Sequence, residues 1–464
     1  MASSAEVRVV ATTRVPLLRR PPPHLEQIPL SLFDAWFLPL SPIQRLFLYD
    51  DDGGADYPSL VESLKSSLAD AIAVFSPLAG KLTYVPSTGD VVVDCSPSAV
   101  GDGVEFLEAE ADGEARALSS AERYDVPAFL RLIPGLQAPK LPAPVLAVQA
   151  TRFVGGGGGV AVGVAVHHAV KDGHSFWRFM DAWSAAACGR PSPPAPAFDR
   201  SAIVHPMAAD VARRILRKMT PELPLLRTTK SVRQPLQHHE AITLELDSHR
   251  IADIKNRIVE LDEATRASPG TDQSRRRLLP STFVAVSALV WSSVVLARSQ
   301  PDEGAGADAD ARAHLVFFAD CRRRLDPPVD AAYFGNCVRG CVAEAAARDL
   351  ADPRRGVLHA RDAIQRAVTE FLERPMEAFD TWLDTVGALI RQPGFVAVSA
   401  SPRFQAYAAA DLGWGAPSRV ESVSESAPDG LVVLTGGRKE ASVQITACLS
   451  PVHMEAFRLQ VLDW

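Results

Sequence analysis

Apolar and polar positions alternate along Glu6–Val15, and Arg19-Arg20-Pro21-Pro22-Pro23 then breaks the pattern, so the spacing predicts a strand with an abrupt end. Ile28–Pro42 is apolar but follows no period, with Phe33, Trp36 and Phe37 close together. Ile43–Asp50 reads as a second strand, stopped by Asp50-Asp51-Asp52-Gly53-Gly54. Leu60, Leu64, Leu68, Ile72 and Phe75 recur at helical spacing over Tyr57–Phe75. Leu82–Val85 and Val91–Asp94 predict a hairpin over Ser87-Thr88-Gly89-Asp90, and Val104–Glu108 a further strand.

Pro144–Val154 and Val160–Val166 are two more strands, joined by the five glycines Gly155–Gly159. A phosphate-binding loop would present a helix N-terminus after the glycines, whereas a strand follows here, so they read as a hairpin turn. Val160–Val166 is small and apolar throughout, as a strand buried on both faces must be, and it runs into His167-His168-Ala169-Val170-Lys171-Asp172-Gly173. Phe176, Met180 and Trp183 then mark a helix to about Cys188, closed by Gly189-Arg190-Pro191-Ser192-Pro193-Pro194-Ala195-Pro196. From there to Gln237 the one regular candidate is a short basic helix, Ala208–Met219.

The second half repeats the alternation of types. Strands are expected at Ala241–Leu246, His314–Ala319, after Cys337, at Gly394–Ser399, and as a hairpin of Leu431–Thr435 with Ala441–Cys448. Helices are expected at Arg250–Leu261 with Ser248 as cap, Pro280–Ala297, Arg354–Leu372 and Pro451–Leu459. Asp262–Arg277 and Pro301–Arg312 read as loops. Alternating strands and helices make the class α/β. At 464 residues the chain needs more than one core. The expected division is a first domain over 1–189, a crossover over 190–237 and a second domain over 238–464.

Composition narrows the function by exclusion. A net charge of -7 leaves no electrostatic footprint for nucleic acid or an anionic membrane, so neither is an expected partner. The six cysteines are scattered and lack zinc-site spacing, which suits free thiols in a reducing compartment, and no metal is expected. No signal peptide or membrane-length apolar run is evident, so the expected location is cytoplasmic.

His-x-x-x-Asp occurs twice. The copy at His249–Asp253 lies in a charged context and reads as a solvated helix end. The copy at His168–Asp172 follows the buried strand and has Gly173 directly after it. Neighbouring strand residues face opposite ways, so His167 and His168 cannot both enter one cleft. No Gly-x-Ser-x-Gly elbow is present, and no further ligand is spaced for a metal. Two readings of His168 stay open: a core histidine satisfied by backbone, or a general base working without a covalent intermediate.

His168-Ala-Val-Lys-Asp172-Gly173 together with Asp411-Leu412-Gly413-Trp414-Gly415 resembles the paired motifs of the plant BAHD acyltransferases, with Leu412 where that family carries Phe. Pro77–Leu82, Asp320–Arg324 and Tyr333-Phe334-Gly335-Asn336-Cys337 match in the same order. The last of these, with Leu40–Leu46, is similar to the branch acting on anthocyanins and other phenolic glycosides. The resemblance implies two domains of similar size, each a mixed sheet flanked by helices as in chloramphenicol acetyltransferase, with a long crossover and a channel between them. It implies acyl-CoA as co-substrate and no permanently bound cofactor. The expected reaction is transfer of a malonyl or hydroxycinnamoyl group to a hydroxyl of a phenolic glycoside, by a monomer, with His168 as base. N-acylation of an amine such as a polyamine, or a non-catalytic binder on the same fold, are the alternatives.

The same resemblance distributes the remaining roles. Asp172 is a motif residue expected to bridge to an arginine, Arg322 first and Arg324 second. Trp414 would donate its indole N–H towards the oxyanion, unless the whole turn is structural and remote. Gly173, Asp411, Gly413 and Gly415 support the site. Ser281, Thr282 and Asn336 fall to the donor side. Arg178 would pair with a dicarboxylic acyl group, unless it is an ordinary exposed helix residue.

Overall fold

The computed structural model describes residues 6–50, 56–136, 138–154, 158–226, 240–266, 279–299, 311–377, 379, 381–390, 392, 394–424 and 427–464. The chain forms two compact units, one of Met1–Leu236, Asp320–Val338 and Gln405–Ser426, the other of Gln237–Ala319, Arg339–Phe404 and Ala427–Trp464. The expected domains were consecutive blocks; these units are not. Residues 190–236 join the first unit, and two later segments, one of which carries Asp411–Gly415, return to it.

In the first unit a six-stranded sheet runs in the order Val7–Val15, Val104–Ala111, Leu146–Phe153, Val160–Val166, Ile43–Tyr49, Arg419–Val423. All seven residues of Val160–Val166 are buried, with antiparallel neighbours on both edges, which is why this strand carries no polar alternation. Gly163 has a steric reason. A Cβ there would lie 2.2 Å from the carbonyl oxygen of Leu132, so a crossing segment replaces a side chain at that point. Helix Gly173–Ala187 packs with Tyr57–Val74, and the indole of Trp183 donates to Ser67 Oγ between them at 3.1 Å. A smaller sheet orders Gln27–Pro29, Asp90–Asp94, Lys81–Val85 and Ala143–Pro144.

The second unit orders its strands Val338–Ala346, Arg312–Asp320, Phe395–Ser401, Leu431–Gly436, Val443–Leu449, Glu240–Leu246. The central pairings are parallel and those at Val443–Leu449 antiparallel, a mixed sheet. The apolar helix Thr282–Arg298 is buried almost throughout and covered by Gly356–Glu373 and Pro451–Asp463. Ser248 is the first residue of helix Ser248–Arg266 rather than its cap; Asp247 takes that place and accepts the Arg250 amide at 2.8 Å.

Two expected strands end later than their patterns suggested, at Ala111 and Leu449, and the closing helix runs on to Asp463. Parts of four expected connections lie outside the described residues: 155–157 of the glycine turn, 227–237 of the crossover, and 267–277 and 301–310 of the two loops. No helix among the described residues is long and apolar enough to cross a membrane.

Candidate active site

The site is built where Val160–Val166 ends and helix Gly173–Ala187 begins. His167 caps the intervening turn, its Nδ1 accepting the Ala169 amide at 3.2 Å. It is 5% exposed, and burial pushes its imidazole down to about 4. His168 faces the other way and is half-buried. Its ring lies flat on Phe37, centres 4.2 Å apart and planes 7° from parallel. Burial first, then the positive field of Lys171, lowers the His168 pKa to about 3. Its buried Nδ1 has no hydrogen-bond partner among the described residues, so no carboxylate orients it.

Asp172 is 2% exposed and caps the helix, accepting the Ser175 amide at 2.9 Å. It also accepts the Cys337 amide at 3.0 Å and meets Arg322 Nη1 at 2.8 Å. Burial works against its ionisation, but the Arg322 guanidinium outweighs it and holds the carboxyl below the usual range. Arg322, also buried, donates from Nη2 to Ser175 Oγ and to the carbonyls of Tyr333 and Gly335, at 3.2, 3.3 and 3.0 Å. Both Asp172 oxygens are thereby engaged by groups other than His168.

These shifts share one sign. His167, His168 and Asp172 all have folded pKa values below their unfolded ones, so the folded state binds fewer protons. Their stabilising contribution is complete above the unfolded values and is lost as pH falls. For His167 the window runs from 6.5 to about 4 and is worth about 3 kcal/mol. The urea midpoint should therefore drop markedly between pH 7 and pH 4.5, and a midpoint unchanged across that range would contradict the neutral, buried imidazole.

The other expected residues divide. Asn336 is buried and donates from Nδ2 to the His168 carbonyl at 3.0 Å, which ties it to the motif histidine's backbone. Arg178 is not a free cation awaiting an acyl carboxylate. Its Nη1 and Nη2 donate to the carbonyls of Ala331 and Pro194 at 2.6 and 2.8 Å, tying two loops together. Ser281 and Thr282 belong to the second unit. Ser281 caps helix Thr282–Arg298 through Val284 N, at 3.2 Å, and Thr282 Oγ1 accepts from Lys255 Nζ at 2.9 Å.

Trp414 is corrected outright. Its ring packs edge-on to Tyr49, centres 5.3 Å apart, and Tyr49 pairs with Val160 at the far end of the motif strand, about 20 Å along it from His168. The same turn's Asp411 carbonyl accepts from Ser184 Oγ at 2.5 Å, three helical turns, about 16 Å, beyond the helix start that Asp172 caps. An indole there reaches no oxyanion at His168. Asp411 Oδ1 accepts the amides of Gly413 and Gly415, both at 3.0 Å, so the turn closes on itself and braces the opposite end of the helix.

Sequence reasoning missed Phe37, which stacks on His168, Asp34, which binds Asn336, and Arg200, which pairs with Asp34. The one trace of them was the cluster of aromatic residues in an irregular apolar segment.

Two comparisons define the class of this fold. The crystal structure of vinorine synthase superposes with a TM-score of 0.69 at 20% identity, covering 99% of this chain and 98% of that one. F. sporotrichioides TRI101, complexed with coenzyme A and T-2, gives 0.65 at 15% identity, covering 93% and 97%. The likeness is one of fold: two units, each a mixed sheet flanked by helices. The Transferase family model matches residues 16–462, and the chain belongs to that family as an acyltransferase. Similar curated proteins include phenolic glucoside malonyltransferase 2 of Arabidopsis thaliana, 28% identical over 93% of either chain. The anthocyanin 5-O-glucoside-6'''-O-malonyltransferase of Salvia splendens is 29% identical, covering 90% of this chain and 86% of that one. BAHD acyltransferase DCR of A. thaliana is 30% identical, covering 93% and 87%.

Proposed function

We propose that this chain transfers an acyl group, malonyl first among the candidates and hydroxycinnamoyl second, from CoA to a hydroxyl of a phenolic glycoside. The observation that carries the mechanism is His168: a neutral imidazole at the end of a buried strand, with no carboxylate on it. A ring nitrogen of His168 takes the proton from the acceptor hydroxyl as its oxygen attacks the thioester carbonyl. The tetrahedral intermediate collapses with cleavage of the C–S bond, and the CoA thiolate leaves and recovers the proton from His168. The Asp172–Arg322 pair holds the loop that presents the base. Ser281 and Thr282 are assigned to the donor side, and Asp411, Gly413 and Gly415 to bracing the motif helix. The malonyl and phenolic glycoside assignment draws on the names of the curated relatives.

Purified protein should be offered malonyl-, acetyl-, coumaroyl- and caffeoyl-CoA with flavonoid glucosides, simple phenolic glucosides and phenolic amines, with products weighed by mass spectrometry. An ester of a glucoside is expected. An amide product would replace O- by N-acylation, and no consumption of any thioester would overturn the reading in favour of a binder. Because His168 stays neutral far below pH 6.5, kcat/KM should be flat from pH 8 to pH 5. An acid limb with its midpoint near 6.5 would count against this environment for the base.

A further inference from the structure

The Asp172–Arg322 pair holds the loop beyond His168 but touches neither its ring nor its carbonyl. A second buried ion pair bears on both, each through one intervening residue. Asp34 has no exposed surface and meets Arg200 Nε at 2.9 Å, with the Arg200 side chain 7% exposed. Asp34 Oδ2 also accepts Ser31 N and Oγ, at 3.0 and 2.8 Å, closing the turn that leads into Ala35–Phe37. The Phe37 amide donates to the Asp34 carbonyl at 3.0 Å, and the Phe37 ring is the one stacked on His168. Asp34 Oδ1 accepts from Asn336 N at 2.8 Å and Nδ2 at 2.9 Å, and that same Nδ2 donates to the His168 carbonyl. The carboxylate thus lies one side chain, Asn336, from the His168 backbone, and it also closes the turn whose Phe37 stacks on the His168 ring.

Arg200 makes the arrangement affordable in free energy, since a buried carboxylate without a counter-charge costs several kcal/mol. It is held in turn by the Phe334 carbonyl at 2.5 Å and the Phe198 carbonyl at 3.2 Å. Gly335 leaves it room, because a Cβ there would stand 2.9 Å from Arg200 Cζ. Arg200 lies in the segment expected to be a bare crossover, which accordingly contributes to the site.

We propose that Asp34 is a positioning residue for His168, fixing its ring through the Phe37 turn and its backbone through Asn336, with Arg200 as the balancing charge. The proposal rests on His168 being the base, so its test has a readout besides activity. Protein labelled at histidine with ¹³C and ¹⁵N should show His168 ring protons shifted upfield by the stacked Phe37, the resonance being assigned by its loss in His168→Ala. Asp34→Asn keeps the shape but removes the charge and sets an amide N–H against the donors of Arg200 or Asn336. It should move that resonance downfield, as Phe37→Leu does, and lower kcat about 10- to 100-fold with KM for acyl-CoA within about twofold. Arg200→Lys, which keeps the positive charge opposite Asp34, should retain most of the native rate.

An unmoved His168 resonance in Asp34→Asn overturns the proposal whatever the rate. A moved resonance with unchanged kcat overturns it too, provided His168→Ala is inactive. A moved resonance with His168→Ala still active leaves the positioning intact and instead removes His168 as base. Should Asp34→Asn not fold, Arg200→Gln disturbs the same carboxylate from its other side, and the same two readouts decide.

Discussion

His168→Ala is expected to lower kcat about 10²- to 10⁴-fold, the range a positioned general base contributes. Affinity for CoA, measured by calorimetry, should stay within about threefold, because the imidazole acts on the acceptor hydroxyl and holds no part of the donor. Stability is expected to change little at pH 7 and to become less sensitive to acid, since the variant lacks one of the imidazoles that folding keeps neutral. Single-turnover measurement separates the chemical step from product release. Unchanged turnover would end the mechanism proposed above, and the search for the base would move elsewhere.

Asp172→Ala should destabilise the protein by about 3–5 kcal/mol, because it leaves the Arg322 guanidinium buried without its partner. The cost is in packing as much as in charge: the Ser175 amide at the helix start and the Cys337 amide both lose their acceptor. Arg322→Ala should cost a similar amount from the other side, leaving a buried carboxylate. The double variant Asp172→Ala/Arg322→Met should be less destabilised than the two single changes summed, since neither charge is then orphaned. Thermal midpoints and soluble yield read this directly. If Asp172→Ala kept the native midpoint and lost only rate, Asp172 would have a part in the chemistry itself, which the commitment of both its oxygens speaks against.

The division between what pattern showed and what it missed follows from range. Val160–Val166 was legible because seven small apolar residues in a row have one use in a folded chain, a strand covered on both faces. That Asp172 caps the following helix came from the structure, since the motif marks it only as a residue bridging to an arginine. Arg419–Val423 was not. It carries Arg419 and Glu421 into the core, where they pair at 2.7 Å, so its burial follows from mutual neutralisation that no hydropathy pattern displays. Its partner strand Ile43–Tyr49 lies far back near the start of the chain, and the pairing carries a late segment back to the first unit.

Trp414 shows the same limit at the level of function. Motif membership left it either beside His168 or in a remote structural turn, and strand register puts it at the opposite end of Val160–Val166. Periods, caps and breakers are properties of neighbouring residues, and by themselves they determined the α/β class, the buried strand and the histidine at its end. Partnership is a property of where distant segments cross. That is why the resemblance could name Arg322 for Asp172, where the structure puts it, while only the tertiary structure decided that Asn336 holds the carbonyl of His168 and that Phe37 lies flat on its ring.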